Sequence, residues 1–343
     1  MDPATALRRI AFILERQNAA TPRVKAFRRA AEMVDALVPA DLVALHAAGH
    51  LTTLEGIGES TARVIADALD GRQPEYLAKV EAEAMPFALS PQGAALLASL
   101  RGDLHVHSDW SDGGSPIEEM AHTARDLGHD YMALTDHSPR LTVANGLSQE
   151  RLCRQLELVE KLNRDLAPFR ILTGIEVDIN EDGSLDQHPD VLARLDVVVA
   201  SVHSKLRMDK DAMTRRMVMA VANPRMDILG HCTGRMRAGA RKDRPESEFD
   251  AEIVFAACAR FDKAVEINCR PERNDPPRRL ITLALEFECR FSIDSDAHAP
   301  GQMAWLEYGC ERGRPLGVTV GMVVNTLPAP GLLAWTASHE ADQ

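Results

Sequence analysis

The sequence predicts an α/β protein in which a small all-α domain precedes a barrel of parallel strands. Two observations predict this fold class. Short β-branched runs alternate with helical stretches about seven times between Arg101 and Gly309, whereas the first 84 residues show only short amphipathic helices. The content of hydrophobic residues, 45%, and of charged residues, 26%, is ordinary for a globular protein.

The N-terminal domain, residues 1–84, is expected to contain helices joined by glycine turns. Apolar residues on one face predict a helix over 4–18, and Thr21-Pro22 is a typical helix start. A third helix is expected to end at Gly49. The turn Gly56-Ile57-Gly58 then leads into another helix, which Gly71 ends.

Residues 85–100 contain Pro86, Pro91 and Gly93 and are predicted to be a linker, so the barrel domain is expected over 101–343. The expected strands are 103–107, 131–136, 170–177, 196–202, 226–231, 264–268 and 291–295. Helices are expected between them, for example over 149–166, 209–222 and 248–260. After Gly309 the one candidate is a closing helix over 319–326.

Composition excludes several classes of protein. With 39 Lys+Arg against 51 Asp+Glu, the net charge of −12 argues against general electrostatic binding of nucleic acid, so DNA contact would need a local patch. Proline and glycine interrupt the uncharged runs 84–100 and 315–338, so no membrane span is expected. The six cysteines form no CxxC pair, which predicts reduced thiols in a cytoplasmic protein.

Histidines and acids cluster where the predicted strands end. The carboxyl ends of all strands meet on one face of a parallel barrel, and alternate residues of a strand point the same way. We therefore expect nine side chains to share one pocket: His105, His107, Asp112, His137, Glu176, His203, His231, Asp296 and His298. Imidazole and carboxylate suit zinc, manganese or iron, and nine ligands suffice for two or three ions. A lone histidine would more simply be a satisfied core residue, but six at strand ends favour metal.

Seven segments carry a resemblance to a known family: HVHSDWSDG, ALTDHS, GIEVDI, SVHSK, DILGHCTGR, AVEIN and DSDAH. Together they resemble the polymerase-and-histidinol-phosphatase (PHP) domain, in the version found at the C-terminus of bacterial family-X DNA polymerases. The resemblance covers Arg101 to Gly309. It implies a distorted (β/α)7 barrel with three divalent metal ions.

The resemblance also implies how the ligands are shared and which residues act in catalysis. It places Glu176, Asp296 and His203 in the catalytic machinery. One ion would be held by His105, His107, Glu176 and Asp296, a second by Glu176, His203 and His231, and a third by Asp112, His137 and His298.

Paired ions would activate a bridging water as hydroxide and clamp the oxygens of a phosphate ester. Three divalent ions against three carboxylates leave the pocket near +3, which favours an anionic substrate in spite of the acidic chain. Among the basic residues near the motifs, we expect Lys205, Arg235 and Arg270 to hold substrate phosphate. For each of them, a solvated loop charge is the competing interpretation.

The turn at Gly56, Ile57 and Gly58 resembles a helix-hairpin-helix, and the segment from Arg23 to Ala31 resembles the N-terminal domain of family-X polymerases. This resemblance implies DNA-phosphate contacts from the hairpin backbone, with Lys25 and Arg28 nearby. Glu55 and Glu59 border the hairpin, and residues 1–90 carry ten basic against twelve acidic residues, both of which oppose DNA binding.

The leading hypothesis is a metal-dependent phosphoesterase that processes DNA ends, as a 3′–5′ exonuclease or 3′-phosphoesterase. Polymerase activity is not expected, because about fifteen linker residues cannot hold a nucleotidyl-transfer domain. One alternative is a small-molecule phosphatase resembling histidinol phosphatase, and another is an inactive scaffold or DNA-binding adaptor. Substrate, physiological metal and oligomeric state stay open.

Overall fold

The computed structural model describes residues 1–84, 87–237 and 243–341. The chain divides into two compact units, Met1–Ala88 and Leu89–Gln343. Among the described residues, no helix combines the length and the apolar character needed to cross a membrane.

The N-terminal unit consists of short helices packed around an apolar core. Their bounds are Pro3–Arg16 (α1), Thr21–Ala36 (α2), Pro39–Ala47 (α3), Glu59–Leu69 (α4) and Glu75–Glu83 (α5). Leu7, Ile10 and Leu14 on α1 are fully buried, as their spacing predicts. The last helix, α5, was not among the predicted elements.

Arg28 is not available as a DNA contact, which corrects that prediction. It is buried, and its Nε and Nη2 donate to the two carboxylate oxygens of Glu15 at 2.8 and 2.6 Å. A guanidinium held on two sides inside the core stabilises α1 against α2 and does not reach a ligand. Lys25 is exposed, and its DNA role stays a prediction.

The predicted hairpin forms the turn between α3 and α4, where Gly56 and Gly58 are exposed and Ile57 is buried. Gly56 has φ +78°, a left-handed conformation that glycine adopts without strain, and Ile57 is buried. The Gly58 N–H donates to Thr61 Oγ1 at 3.0 Å. A phosphate at this turn would therefore have to use other N–H groups of α4, beside the exposed Glu55 and Glu59.

The second unit begins with a helix inside the predicted linker. Pro91–Ser99 (α6) is helical and Leu96 on it is buried in the core of this unit. The Ser90 Oγ accepts from the Gly93 N–H, and the Ser90 N–H and hydroxyl both donate to Glu311. The linker prediction is corrected here: Pro91 stands at the first turn, where proline favours a helix. Met85 and Pro86 of that prediction lie outside the described residues.

Seven parallel strands form one sheet in sequence order. They are Gly102–Val106 (β1), Tyr131–Leu134 (β2), Arg170–Asp178 (β3), Val197–Ser201 (β4), Ile228–Leu229 (β5), Ala264–Asn268 (β6) and Arg290–Asp294 (β7). The predicted α/β barrel class is confirmed. A parallel bridge between Val106 and Ala297 nearly closes the sheet.

Asn325 completes the closure between the first and last strands. Its side-chain amide donates to the carbonyls of Gly102 at 2.9 Å and Ile293 at 2.7 Å, and its Oδ1 accepts from the Ile293 N–H. The predicted closing helix over 319–326 is instead two short 3-10 turns, Val320–Met322 and Val324–Thr326. The buried amide needs this irregular backbone to face both edge strands.

Helices flank the strands from outside. They are Ile117–Asp126 (α7), Gln149–Leu166 (α8), Pro189–Leu192 (α9), Lys210–Val221 (α10), Ala251–Arg260 (α11), Arg278–Glu286 (α12), Leu306–Gly313 (α13) and Ala329–Ala341 (α14). Ser148 caps α8 through the Arg151 N–H, so this helix begins and ends as predicted. The arrangement leaves the carboxyl ends of all strands on one face.

Candidate metal centre

Glu176 lies at the middle of the centre, near the end of β3. It is 1% exposed, and five imidazoles approach its carboxylate. Three nitrogens lie near Oε2, those of His137 at 2.9 Å, His105 at 3.3 Å and His107 at 3.6 Å. Two lie near Oε1, those of His231 at 2.8 Å and His203 at 3.2 Å. Imidazoles from the ends of four strands therefore meet at the carboxylate of a fifth, β3.

Asp112 and His298 form the more open side of the centre. The Asp112 Oδ1 lies 3.3 Å from His298 Nε2 and 3.5 Å from His137 Nε2. The rings of His298 and His107 are 4.2 Å apart between centroids. The Asp112 side chain is 37% exposed, whereas His107 is fully buried. A substrate would thus enter on the side of Asp112.

Asp296 completes the set from the segment after β7. Its Oδ1 lies 3.5 Å from His107 Nε2, and its Oδ2 accepts from Asn268 Nδ2 at 3.0 Å and from Arg273 Nε at 2.9 Å. Its φ of +53° is unusual for a residue other than glycine. These contacts hold the strained residue in place and aim its carboxylate into the centre.

Three groups of donor atoms are close enough for metal ions, each group having its atoms within 4.8 Å of one another. They differ from the sharing implied by the resemblance, because His107 and His137 each belong to two groups and His231 to none, although it contacts Glu176. The groups are His107, Asp112, His137 and His298; His105, His107 and Asp296; and His137, Glu176 and His203.

The donor set fits divalent ions. Six buried ring nitrogens of the centre have no hydrogen-bond partner among the described residues: His105 Nε2, His107 Nδ1 and Nε2, His137 Nδ1, His203 Nε2 and His231 Nδ1. Buried polar atoms without a partner are costly, and imidazole nitrogens beside carboxylates are the ligands that transition metals prefer. These clusters are suited to metal binding.

The charges of the centre compensate one another. Burial favours a raised pKa for Glu176, but the imidazoles of His203, His105 and His137 outweigh it and hold this pKa well below its usual value. Burial lowers the pKa of His203, whereas the carboxylates of Glu176 and Asp178 raise it to about 9. Burial and the neighbouring His298 and His137 lower the pKa of His107 well below its usual value. The carboxylates are thus ionised and ready to bind cations.

A family model matches this region: residues 103–269 match the PHP domain. The chain contains a PHP domain. Over 205 residues it is 40% identical to the DNA polymerase/3′-5′ exonuclease PolX of Bacillus subtilis (strain 168). The aligned region covers 59% of this chain and 35% of PolX. The match to PolX therefore spans only about a third of the relative's length.

Phosphatases are also among the relatives of this PHP domain. A probable phosphatase of Thermoanaerobacter sp. (strain X514) is 28% identical over 239 residues, covering 65% of this chain and 89% of that protein. A solved histidinol phosphate phosphatase from Lactococcus lactis, complexed with zinc, L-histidinol and phosphate, has a TM-score of 0.47 and 16% identity, covering 64% of this chain and 94% of that chain.

Two buried carboxylates, which were not among the predicted site residues, orient imidazoles of the PHP centre from outside it. Glu266 on β6 contacts His105 Nδ1 at 2.6 Å, and it also accepts from the backbone N–H of His231. Asp178 contacts His203 Nδ1 at 2.7 Å. The contacts with His105 and His203 each fix one ring nitrogen and leave the other facing the centre. The signal was present in AVEIN and GIEVDI, where both acids stand in strands.

Replacing Glu266 by Gln is expected to weaken metal binding about 10- to 100-fold, the usual cost of losing such an orienting carboxylate. Titration of the metal-free protein with zinc or manganese measures this affinity. Glu181→Gln is the matched control, because Glu181 is exposed in the loop after β3. Equal metal affinity in the Glu266 variant and the wild type would contradict this role.

The three predicted phosphate-binding residues have different surroundings. Lys205 is exposed, and no partner of its side chain is found among the described residues. The Arg270 Nη1 lies 2.9 Å from His298 Nδ1 and donates to the Asp296 carbonyl at 3.2 Å. Arg235 differs from the expectation: it donates to the carbonyls of Arg273 and Asn274 and to Glu246. Its guanidinium positions the loop after β6, because each of its three nitrogens already donates a hydrogen bond.

Arg273 is another of the basic residues near the motifs, in addition to the three that were expected to hold phosphate. Besides its bond to Asp296, its Nη1 is buried without a hydrogen-bond partner among the described residues. Its side chain is 11% exposed.

With its donor clusters and PHP domain, the chain is a metal-dependent hydrolase of phosphate esters.

Proposed function

We propose that this enzyme shortens or cleans DNA 3′ ends, as a 3′–5′ exonuclease or 3′-phosphoesterase without polymerase activity. The observation that carries the proposal is the 40% identity with PolX over the barrel, compared with 28% to the probable phosphatase. The cluster of histidines and carboxylates that includes Glu176, Asp296 and His203 supports a hydrolytic centre of this kind.

We propose that the donor clusters hold up to three divalent ions, as zinc, manganese or iron. When bound, such ions supply Lewis acids that polarise phosphoryl oxygens and make water more acidic at neutral pH. Glu176, Asp296 and His203 hold the ions, and Glu266 and Asp178 keep the imidazoles in orientation. The ions would satisfy the lone-pair nitrogen of each of these imidazoles, including one of the two unpartnered nitrogens of His107.

Arg270 and Arg273 bind the scissile phosphate from the side of Asp296. The unpartnered Arg273 Nη1 is free to donate to a phosphoryl oxygen, while its Nε stays on Asp296. A guanidinium donates to phosphate in a fixed geometry, so it orients the group as well as countering its charge. Lys205, exposed on the loop after β4, supplies a further cation.

Arg273→Gln is expected to lower kcat/KM for a phosphate ester about 100-fold, which is about 2.7 kcal/mol of transition-state stabilisation. The buried charge on Asp296 keeps Arg270 as a partner, so the fold should persist. Steady-state kinetics on the metal-loaded enzyme measure the effect, with Arg314→Gln as the control outside the centre. A change of less than threefold would contradict a role in phosphate binding.

A substrate panel tests the proposed function. The enzyme is loaded with manganese, zinc or iron and given 5′-labelled single-stranded DNA, DNA ending in a 3′-phosphate, and histidinol phosphate. We expect loss of 3′ nucleotides or of the 3′-phosphate. If the enzyme hydrolyses histidinol phosphate and leaves the DNA substrates unchanged, the proposal is overturned in favour of a small-molecule phosphatase. This alternative is supported by the alignment with the probable phosphatase, which covers 89% of that protein.

A further inference from the structure

A cavity of about 750 Å³ lies beside the metal centre, between the segment after β5 and helices α10 and α12. Cations line it in a protein of net charge −12: Lys210, Arg235, Arg237, Arg244 and Arg279. Asp243, Glu246 and Glu248 also face it, so the lining carries two more positive than negative side chains. This volume is within the range of pockets that hold small ligands.

Two of these arginines have no carboxylate partner among the described residues. Glu246 pairs with Arg235 and Arg279, and Lys210 pairs with Asp250. Arg237 is exposed, and Arg244, half-buried, donates through Nε to the Gly234 carbonyl at 2.6 Å. A half-buried guanidinium with free donors is the usual binding group for a phosphate.

A backbone bridge brings the segments that carry the two arginines together. Met236 and Arg244 exchange backbone hydrogen bonds at 2.9 and 2.8 Å, and the Arg237 N–H donates to the Glu272 carbonyl. Ser247, which also lines the cavity, is 7% exposed, and its Oγ has no hydrogen-bond partner among the described residues. A buried hydroxyl without a partner is a second feature that a bound anion would satisfy.

One loop separates this cavity from the metal centre. Arg235 lines the cavity and donates to the carbonyl of Arg273, whose own Nε binds Asp296. Burial lowers the pKa of Arg244, and the charge of Arg273 lowers it further, so the two guanidinium groups lie within electrostatic range. An anion in the cavity would therefore be a neighbour of the scissile phosphate.

We propose that Arg237, Arg244 and Ser247 form a subsite for a second phosphate of the substrate, the one adjacent to the scissile phosphate in a nucleic acid strand. This inference rests on the proposed function and narrows its substrate class to phosphodiester chains. A monoester has a single phosphate, which stays in the centre and leaves the subsite empty. The subsite thus selects a strand over a small phosphate ester.

The test compares an oligothymidylate with p-nitrophenyl phosphate on the manganese-loaded full chain. The double variant Arg237→Gln/Arg244→Gln is expected to raise KM for the oligonucleotide about tenfold, while kcat/KM for p-nitrophenyl phosphate changes less than twofold. The salt dependence of oligonucleotide binding should also fall, because phosphate contacts are lost. If the double variant does not fold, the single variant Arg237→Gln at this exposed position is used instead, and it should also raise KM for the oligonucleotide.

The matched control is Arg154→Gln/Arg164→Gln, which removes two exposed charges from α8. The subsite is overturned if the control raises KM for the oligonucleotide as much as the double variant does, or if the double variant leaves this KM unchanged. It is also overturned if the double variant loses activity equally on both substrates. If the wild type hydrolyses neither substrate, the proposed function fails. Anisotropy of a fluorescein-labelled oligothymidylate then decides the subsite by itself: tenfold weaker binding by the double variant supports it, and equal binding overturns it.

Discussion

Glu176→Gln is expected to lower kcat for any phosphate ester by about 10²- to 10³-fold, the range that loss of one preorganised electrostatic group costs an enzyme. Nitrogens of five imidazoles lie within 3.6 Å of the Glu176 carboxylate. The glutamine amide would place its NH₂ group against ring nitrogens that need an anion or a shared cation. The same change should reduce the number of bound ions.

The readouts are steady-state kinetics and metal content per chain. Glu181→Gln is again the control, since its side chain is half exposed in the loop that follows β3. The control should keep wild-type rates and metal content. A Glu176 variant with wild-type activity would show that this carboxylate does not organise the centre.

Binding of zinc or manganese is expected to raise the melting temperature of the metal-free enzyme by about 10 °C. His105 and His107 are fully buried, and unpartnered ring nitrogens in the core disfavour the folded state without ions. At a free metal concentration 1,000 times Kd, one site adds about 4 kcal/mol of stability. For a domain of this size, each kcal/mol shifts the melting temperature by about 2 to 4 °C.

Differential scanning calorimetry with and without a chelator measures this shift. The Glu176→Gln variant should show a smaller one, while Glu181→Gln should match the wild type. An identical melting temperature with and without metal in the wild type would contradict a centre that binds ions in the folded state.

The sequence predicts the strands well because each is a short β-branched run that ends at a polar motif. The bounds of α8 follow from the Ser148 cap and an uninterrupted apolar stripe. Helix α6 was missed because Pro91 and Gly93 indicate a break, whereas a capped proline at the first turn starts a helix. Position within a helix, more than residue type, decides what proline does.

The common face of the strand ends predicts that the nine side chains lie near one another, but it does not predict how they are grouped around metal ions. His107 and His137 each belong to two donor groups, which depends on ring orientations that strand periodicity does not specify. Arg28 and Arg235 stand in motifs that suggest phosphate contacts. Their partners, Glu15 and the carbonyl of Arg273, come from elements that only the folded chain brings near.

Metal content per chain, measured by inductively coupled plasma mass spectrometry alongside phosphoesterase activity, tests the central claim most directly. The three donor groups predict two or three transition-metal ions per chain, with activity that falls and returns as the ions are removed and restored. A chain that takes up less than one equivalent of zinc, manganese or iron, or that hydrolyses phosphate esters equally well in their absence, would contradict the account.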